Sequence, residues 1–189
     1  MNRSDAGYNG GKLLLDAAGV AERVESLARY VGTEFDAAPD RLAIVGIQTR
    51  GAHLARRVAR FLKTKTQTDV PVGILDITLY RDDVHAIADQ PEVKETVLPF
   101  DLENRTIVLV DDVLFTGRTV RSAMNAIIDY GRPECIRLAV LIDRGHRELP
   151  VGADFVGLTI KTTPHDVVDV NLMEIDGEDS VRLRQLLEA

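Results

Sequence analysis

Tryptophan is absent from this sequence and cysteine occurs once, at Cys135, so no disulfide framework can form and the chain suits a reducing compartment. No apolar run approaches the length that crosses a bilayer, and the polar stretch Met1–Lys12 lacks the layout of a signal peptide. Together these absences predict a cytoplasmic protein with no membrane partner. Positive charge is also in deficit: 23 Lys and Arg stand against 30 Asp and Glu, a formal net charge of −7. A chain this acidic has no general electrostatic pull toward nucleic acid, so any RNA site must be built locally against the background.

Several chemistries are excluded by missing motifs. The sequence contains no G-x-x-x-x-G-K-[ST] and no G-x-G-x-x-G, which sets aside nucleotide triphosphatases and dinucleotide folds. His53, His85, His146 and His165 show no metal-ligand spacing, and no Ser lies in G-x-S-x-G. His146, beside Arg147, reads as a structural histidine at least as readily as an acid or base. Internal repeats and low-complexity tracts are absent as well.

What is present is an alternation of helix and strand patterns in 189 residues, enough for one domain with a real core. Val20, Val24, Leu27, Ala28 and Val31 recur at helical spacing over Asp16–Val31, and Leu54, Ala55, Val58, Phe61 and Leu62 do so after Gly51. Leu42–Ile47, Val72–Tyr80, Thr106–Val110, Ile136–Ile142 and Ala153–Val156 read as strands, and Gly117–Tyr130 as a helix stopped by Gly131 and Pro133. Near-continuous Val/Ile/Leu strands alternating with helices predict an α/β fold, a mostly parallel, doubly wound sheet with helices on both faces. Residues 1–12 read as a weakly held arm. Residues 81–98 are charged, broken by Pro91 and without periodicity, and a loop of that length predicts a lid.

The sharpest signal is the run Ile107–Thr119, IVLVDDVLFTGRT. A buried strand brings two adjacent carboxylates, Asp111 and Asp112, to its C-terminal end, where open α/β sheets bind ligands. A tight loop then opens a helix, whose first-turn N–H groups and dipole favour a phosphate. Gly117 lets the backbone approach closely, and the hydroxyls of Thr116 and Thr119 can donate to phosphate oxygens. The two carboxylates only accept hydrogen bonds, so they suit a sugar diol or a magnesium shell. The segment asks for a ligand with a monophosphate at one end and a hydroxylated sugar beside it. A receiver domain of signalling proteins, another doubly wound fold with an acidic pocket, would carry its acid pair after the first strand.

This run resembles the phosphoribosyl pyrophosphate (PRPP) motif of type I phosphoribosyltransferases. More narrowly, Asp76–Asp83 (DITLYRDD) and Asp143–Pro150 (DRGHRELP) resemble the family of bifunctional pyrimidine-operon regulators and uracil phosphoribosyltransferases, PyrR. The likeness runs from about Leu42 to Val170. It implies the type I phosphoribosyltransferase fold, a single domain with a small hood, and an enzyme making UMP from uracil and PRPP with magnesium carried by the substrate. It further implies that Asp111 and Asp112 bind the ribose hydroxyls, that Thr116, Gly117, Arg118 and Thr119 hold the 5′-phosphate, and that Val113, Leu114 and Phe115 complete the PRPP-binding run. Thr49 and Arg50 fall in the family's pyrophosphate loop, where a non-proline cis peptide is common. Arg81 matches a position facing pyrophosphate, and Arg144 and the backbone of Val168 match the uracil contacts. The resemblance leaves the general base for uracil without a candidate. It implies a homodimer or higher even-numbered homo-oligomer.

The same resemblance carries a second activity, UMP-responsive binding of pyrimidine-operon mRNA. The contrasting reading is a protein that is mainly an RNA-binding attenuator using its nucleotide site as a sensor. Against this, Gly152 and Leu158 stand where regulators of the family usually carry Arg and Lys, and the first helix sets Glu22 and Glu25 beside Arg23 and Arg29. Lys161, Arg132 and Arg137 are the residues left to form a substitute basic patch.

Overall fold

The computed structural model describes residues 11–35, 39–67, 69–82 and 94–185. Its centre is a five-stranded, all-parallel sheet built from β2 (Leu42–Ile47), β3 (Val72–Leu75), β4 (Thr106–Leu114), β5 (Cys135–Asp143) and β6 (Phe155–Thr159), in the order β3-β2-β4-β5-β6. A second sheet of three antiparallel strands, β1 (Lys12–Leu15), β8 (Ser180–Arg184) and β7 (Val167–Asn171), is the expected hood.

Alternation along β4 shows why helices are needed on both faces. Val108 and Val110 point to a core shared with α1 (Ala17–Glu34) and α2 (Arg50–Thr66), whereas Ile107 and Leu109 point to a second core under α3 (Arg118–Tyr130). All four side chains are fully buried. The helical spacing read from sequence supplies two of the matching faces, Val20, Val24 and Leu27 from α1 and Leu54, Val58 and Leu62 from α2, and α3 adds Val120, Ala123 and Ile127. Burying each of the larger of these side chains contributes roughly 1.5–3 kcal/mol of transfer free energy. Helix α1 starts where Asp16 accepts from the N–H of Gly19 at 2.8 Å, an N-cap.

The strand Leu42–Ile47 matches its expected bounds. The other four differ, two of them only in length: Thr106–Val110 runs on to Leu114, and Ile136–Ile142 gains Cys135 and Asp143. The strand expected over Val72–Tyr80 stops at Leu75, because Asp76 Oδ1 accepts from both the N–H (3.0 Å) and the hydroxyl (2.6 Å) of Thr78 and turns the chain into a 3-10 segment, Thr78–Tyr80. The strand expected at Ala153–Val156 is displaced to Phe155–Thr159. Asp154 closes the approach, its N–H donating to Leu138 O and its Oδ2 accepting from Leu138 N. At the N-terminal side, Lys12 is not part of a loose arm but pairs with Leu183 in the hood. Residues 1–10 of the expected arm and 83–93 of the expected lid lie outside the described residues. Among the described residues no helix is long and apolar enough to cross a membrane.

Candidate active site

Parallel order brings the C-terminal ends of β2, β3, β4 and β5 to one edge, and the loops after them build the site. Between β2 and α2 the Gln48–Thr49 peptide is cis. Gly51 packs so tightly on the end of β4 that a Cβ there would lie 2.4 Å from Val110 O, so only glycine lets α2 begin at this point. After β4, Gly117 caps α3 at φ 92°, a left-handed conformation, with Leu149 and Val151 against it. The first turn of α3 thus meets the strand end with its N–H groups unclaimed by the helix itself.

Three cavities share this edge. The first, about 330 Å³, is lined by Gln48, Thr49, Asp76, Ile77, Thr78, Arg81, Lys94, Asp111, Asp112, Val113 and Thr119. The second, about 480 Å³, is lined by Val113, Phe115, Arg144 and the segment Pro164–Val168. Val113 belongs to both, so they adjoin where β4 ends. The third, about 320 Å³, lies outside α3 between Arg81, Asp82, Arg118, Thr119 and Ser122.

The acid pair is asymmetric. Asp111 is 6% exposed and Asp112 half-buried, with the N–H of Asp112 donating to Asp111 Oδ1 at 3.0 Å. Burial, and then the charge of Asp112, holds the Asp111 carboxyl well above the usual carboxylate range. Oxygen donors dominate the first cavity, which suits a hard cation such as magnesium. Among the described residues no group of three or more His, Cys, Asp or Glu side chains gathers to hold a metal.

In the second cavity Arg144 is buried and stacked over the Phe115 ring at 4.1 Å. Its guanidinium donates to Asp166 O and Thr163 O, both at 2.8 Å, so it shapes the Pro164–Val168 wall as well as lining the cavity. Burial lowers its pKa, against the opposing charge of Asp166. His146 is a satisfied residue: its Nε2 lies 2.7 Å from Thr162 O and its ring meets Phe115 edge-on.

Of the residues singled out from sequence, Thr49, Arg81, Asp111, Asp112, Val113 and Thr119 come together in the first cavity, and Phe115, Arg144 and Val168 in the second. Arg118 sits beside the third, bridging Asp82 and Glu148 at 2.7 Å each. The Leu114 side chain is buried in the α3 core, leaving only its backbone to the loop. Thr116 holds the loop through its carbonyl, which accepts from Glu148 N and Leu149 N. Arg50 lines none of the three cavities; its guanidinium grips both oxygens of Asp176, at 2.9 and 3.1 Å, at the end of α4 (Met173–Asp176). Several lining residues were not predicted from sequence, among them the charged Asp76 and Lys94 of the first cavity. Asp76 was detectable, since Asp-x-Thr is an Asx-turn pattern. Lys94 was not, because it lies in a stretch with no periodicity.

The phosphoribosyl transferase domain family matches residues 12–175. Bifunctional protein PyrR of Thermus aquaticus is 60% identical over 142 residues, covering 75% of this chain and 78% of that protein. The protein of the same name from Syntrophobacter fumaroxidans is 46% identical over 181 residues, covering 96% and 97%. Among solved structures, a hypoxanthine phosphoribosyltransferase from Staphylococcus aureus superposes with a TM-score of 0.67 at 19% identity, covering 100% of this chain and 98% of that one. Hypoxanthine phosphoribosyltransferase from Trypanosoma cruzi, in complex with the product IMP, gives 0.68 at 16% identity, covering 93% and 92%. At such identities the solved structures establish the fold alone, the type I phosphoribosyltransferase fold. The sequence relatives go further: this chain belongs to the phosphoribosyl transferase domain family and, within it, to the bifunctional PyrR proteins.

Proposed function

We propose that this protein transfers the phosphoribosyl group of PRPP to uracil, giving UMP and pyrophosphate. The observation that carries this reading is the pair of adjoining cavities that share Val113: one is acidic and opens on a helix N-terminus, the other is larger and walled by Phe115, Arg144 and Pro164–Val168. A sugar phosphate fits the first and a planar base the second, with the ribose C1 between them. In this reading Asp111 and Asp112 receive the ribose hydroxyls. Thr116–Thr119 and the first turn of α3 receive the 5′-phosphate. Thr49, the start of α2 and Arg81 face the diphosphate. Magnesium, held by Asp112 and substrate oxygens, would draw charge from the diphosphate. The site's main task is positioning, since the base must meet C1 as positive charge develops there. Incubating the protein with PRPP, magnesium and each of uracil, orotate, cytosine, hypoxanthine and guanine tests the reading. UMP from uracil, and no purine nucleotide, is expected; a purine product, or none with any base, would overturn it.

We infer that the second activity of this family, UMP-responsive binding of pyrimidine-operon mRNA, is weaker or narrower here than the family name suggests. On α1, Arg29 pairs with Glu25 and Arg23 lies near Glu22. Leu158 packs against the core rather than offering a cation. The substitute patch expected from Lys161, Arg132 and Arg137 does not assemble. Arg137 is paired with Asp154, and Arg132 precedes β5 whereas Lys161 follows the parallel β6. Nine residues of strand, about 27 Å, separate those two ends. Titrating the leader RNA of the organism's own pyrimidine genes, with and without UMP, would expose an error here by showing tight, UMP-stimulated binding at physiological salt. We further propose a cytoplasmic homodimer or higher even-numbered homo-oligomer, for which light scattering that finds only monomer at micromolar concentration would be decisive against.

A further inference from the structure

The diphosphate is the most highly charged part of the proposed substrate, and few side chains are placed to meet it. Three carboxylates line the first cavity, Asp76, Asp111 and Asp112, against two cations, Arg81 and Lys94. Arg50, which its place in the sequence sets beside the diphosphate, has its guanidinium on Asp176 instead. The wall of the cavity formed by the β2 and β3 ends therefore needs a cation from elsewhere, and Lys94 stands there.

The root of Lys94 is tied down. Its backbone N–H donates to Asp76 Oδ2 at 2.6 Å, and the N–H of Asp76 donates to Thr96 Oγ1 at 3.0 Å. One step further, Ile74 and Val97 exchange two backbone hydrogen bonds, each of 2.8 Å. Asp76 is fixed in turn by Thr78 through its other oxygen. The segment from Lys94 to Val97 is thus stitched along the end of β3. Its ammonium donates to Thr49 Oγ1 at 3.2 Å, directly at the cis Gln48–Thr49 peptide. A neutral hydroxyl is a poor sole acceptor for an ammonium with three donors, and among the described residues Lys94 makes no ion pair. Such a group, lining the first cavity beside the loop between β2 and α2, is poised for an anion.

We propose that Lys94 is a catalytic residue whose ammonium binds the diphosphate of PRPP and stabilises it as it departs. The proposal rests on the phosphoribosyl transfer read above. In that step the bond from ribose C1 to the diphosphate oxygen breaks, and its electron pair leaves on that oxygen. The bond from C1 to uracil N1 forms from the N1 electron pair, and the N1 proton passes to water. Lys94 keeps its protons and donates hydrogen bonds to the oxygens on which negative charge accumulates, where such donors act most strongly.

The test uses the full chain and two variants, Lys94→Met and Lys94→Arg. Three quantities are read for each: affinity for magnesium pyrophosphate, affinity for UMP, and kcat and KM with PRPP. Lys94→Met is expected to lower both pyrophosphate affinity and kcat/KM for PRPP about ten-fold or more, the usual worth of a hydrogen bond to a charged group. UMP has no diphosphate, so its affinity should hold within about two-fold, which also shows that the variant is folded. Lys94→Arg should recover most of the loss. Unchanged pyrophosphate affinity in Lys94→Met, or an equal loss for UMP, overturns the proposal. Should the parent protein bind UMP and pyrophosphate but make no UMP from uracil, the transfer reading fails on its own, and the pyrophosphate titration still judges Lys94.

Discussion

On the α3 side of the first cavity, the loop from Leu114 to Gly117 is held from outside by a later loop. Arg147 donates to the carbonyls of Leu114, Phe115, Gly145 and Val151 and pairs with Asp143 at 2.6 Å. Arg144 N donates to Leu114 O, and the N–H groups of Glu148 and Leu149 converge on Thr116 O. On the β3 side, among the described residues, no single side chain ties the wall together as Arg147 does. Asp76 gathers Thr78 and Lys94, the Ile74–Val97 bridge adds two bonds, and Lys94 reaches Thr49 alone. In the proposed function the braced wall faces the 5′-phosphate, which is retained in the product, and the wall tethered chiefly at its base faces the diphosphate, which leaves. Preorganisation costs no reorganisation when the ligand arrives, whereas a group that must release its ligand gains from being able to move.

The floor where the two walls meet should be the most sensitive point. Asp112→Asn preserves shape while removing a charge proposed to face the diol and magnesium, so kcat should fall about a hundred-fold or more with the fold intact. Steady-state kinetics with uracil, alongside circular dichroism, would check it; full activity in a folded variant would mean the site has been placed wrongly. Next comes the brace. Arg147→Met leaves four carbonyls and the Asp143 carboxylate short of a donor, a loss of about 2–4 kcal/mol in urea unfolding. Lysine should not restore it, because a single ammonium cannot reproduce the forked geometry. A neutral result would dissolve the contrast between the walls. Thr119→Val then removes one donor from the α3 side with the brace untouched. PRPP affinity should drop by about 1–3 kcal/mol, with unfolding little altered.

How much of this was visible beforehand depends on how local the determining physics is. The β4–α3 unit was legible because Ile107–Val110, the acid pair, Gly117 and Thr119 act within a few residues of one another. So was the fold class, since Val/Ile/Leu strands buried on both faces leave little choice but helices above and below. The hood was expected from resemblance but its strands were not read, because β1 is four residues long and finds its partner β8 across nearly the whole chain. Its stability comes from pairing rather than from propensity. Arg50 shows the same limit within the site. Its position in the chain is that of a pyrophosphate-loop residue, yet its side chain follows Asp176, 126 residues away. Lys94 is the converse case, placed in the cavity by Asp76 and the Ile74–Val97 bridge rather than by any pattern around it.

The smallest expected effect concerns stability and separates the two neighbouring carboxylates. Asp111 is buried with Asp112 beside it, and both influences raise its pKa in the folded protein. A carboxyl whose pKa rises on folding holds its proton more tightly when folded than when unfolded. Below the ordinary carboxylate pKa both states are protonated and the folded protein suffers no penalty. As pH rises from there through the raised pKa, folding must take up a proton or bury a charge, so stability is lost across that window. Asp111→Asn abolishes the titration and can still accept the N–H of Asp112 through its amide oxygen. The variant should therefore match the parent in melting temperature at acid pH and exceed it at neutral pH, with the gap opening as pH climbs above the carboxylate range. Melting curves from pH 4 to 8 would show this directly. A gap that stays flat, or that opens toward acid pH, would mean that burial does not hold the Asp111 carboxyl above the usual carboxylate range, and that this side chain brings its charge to the floor of the cavity before any ligand arrives.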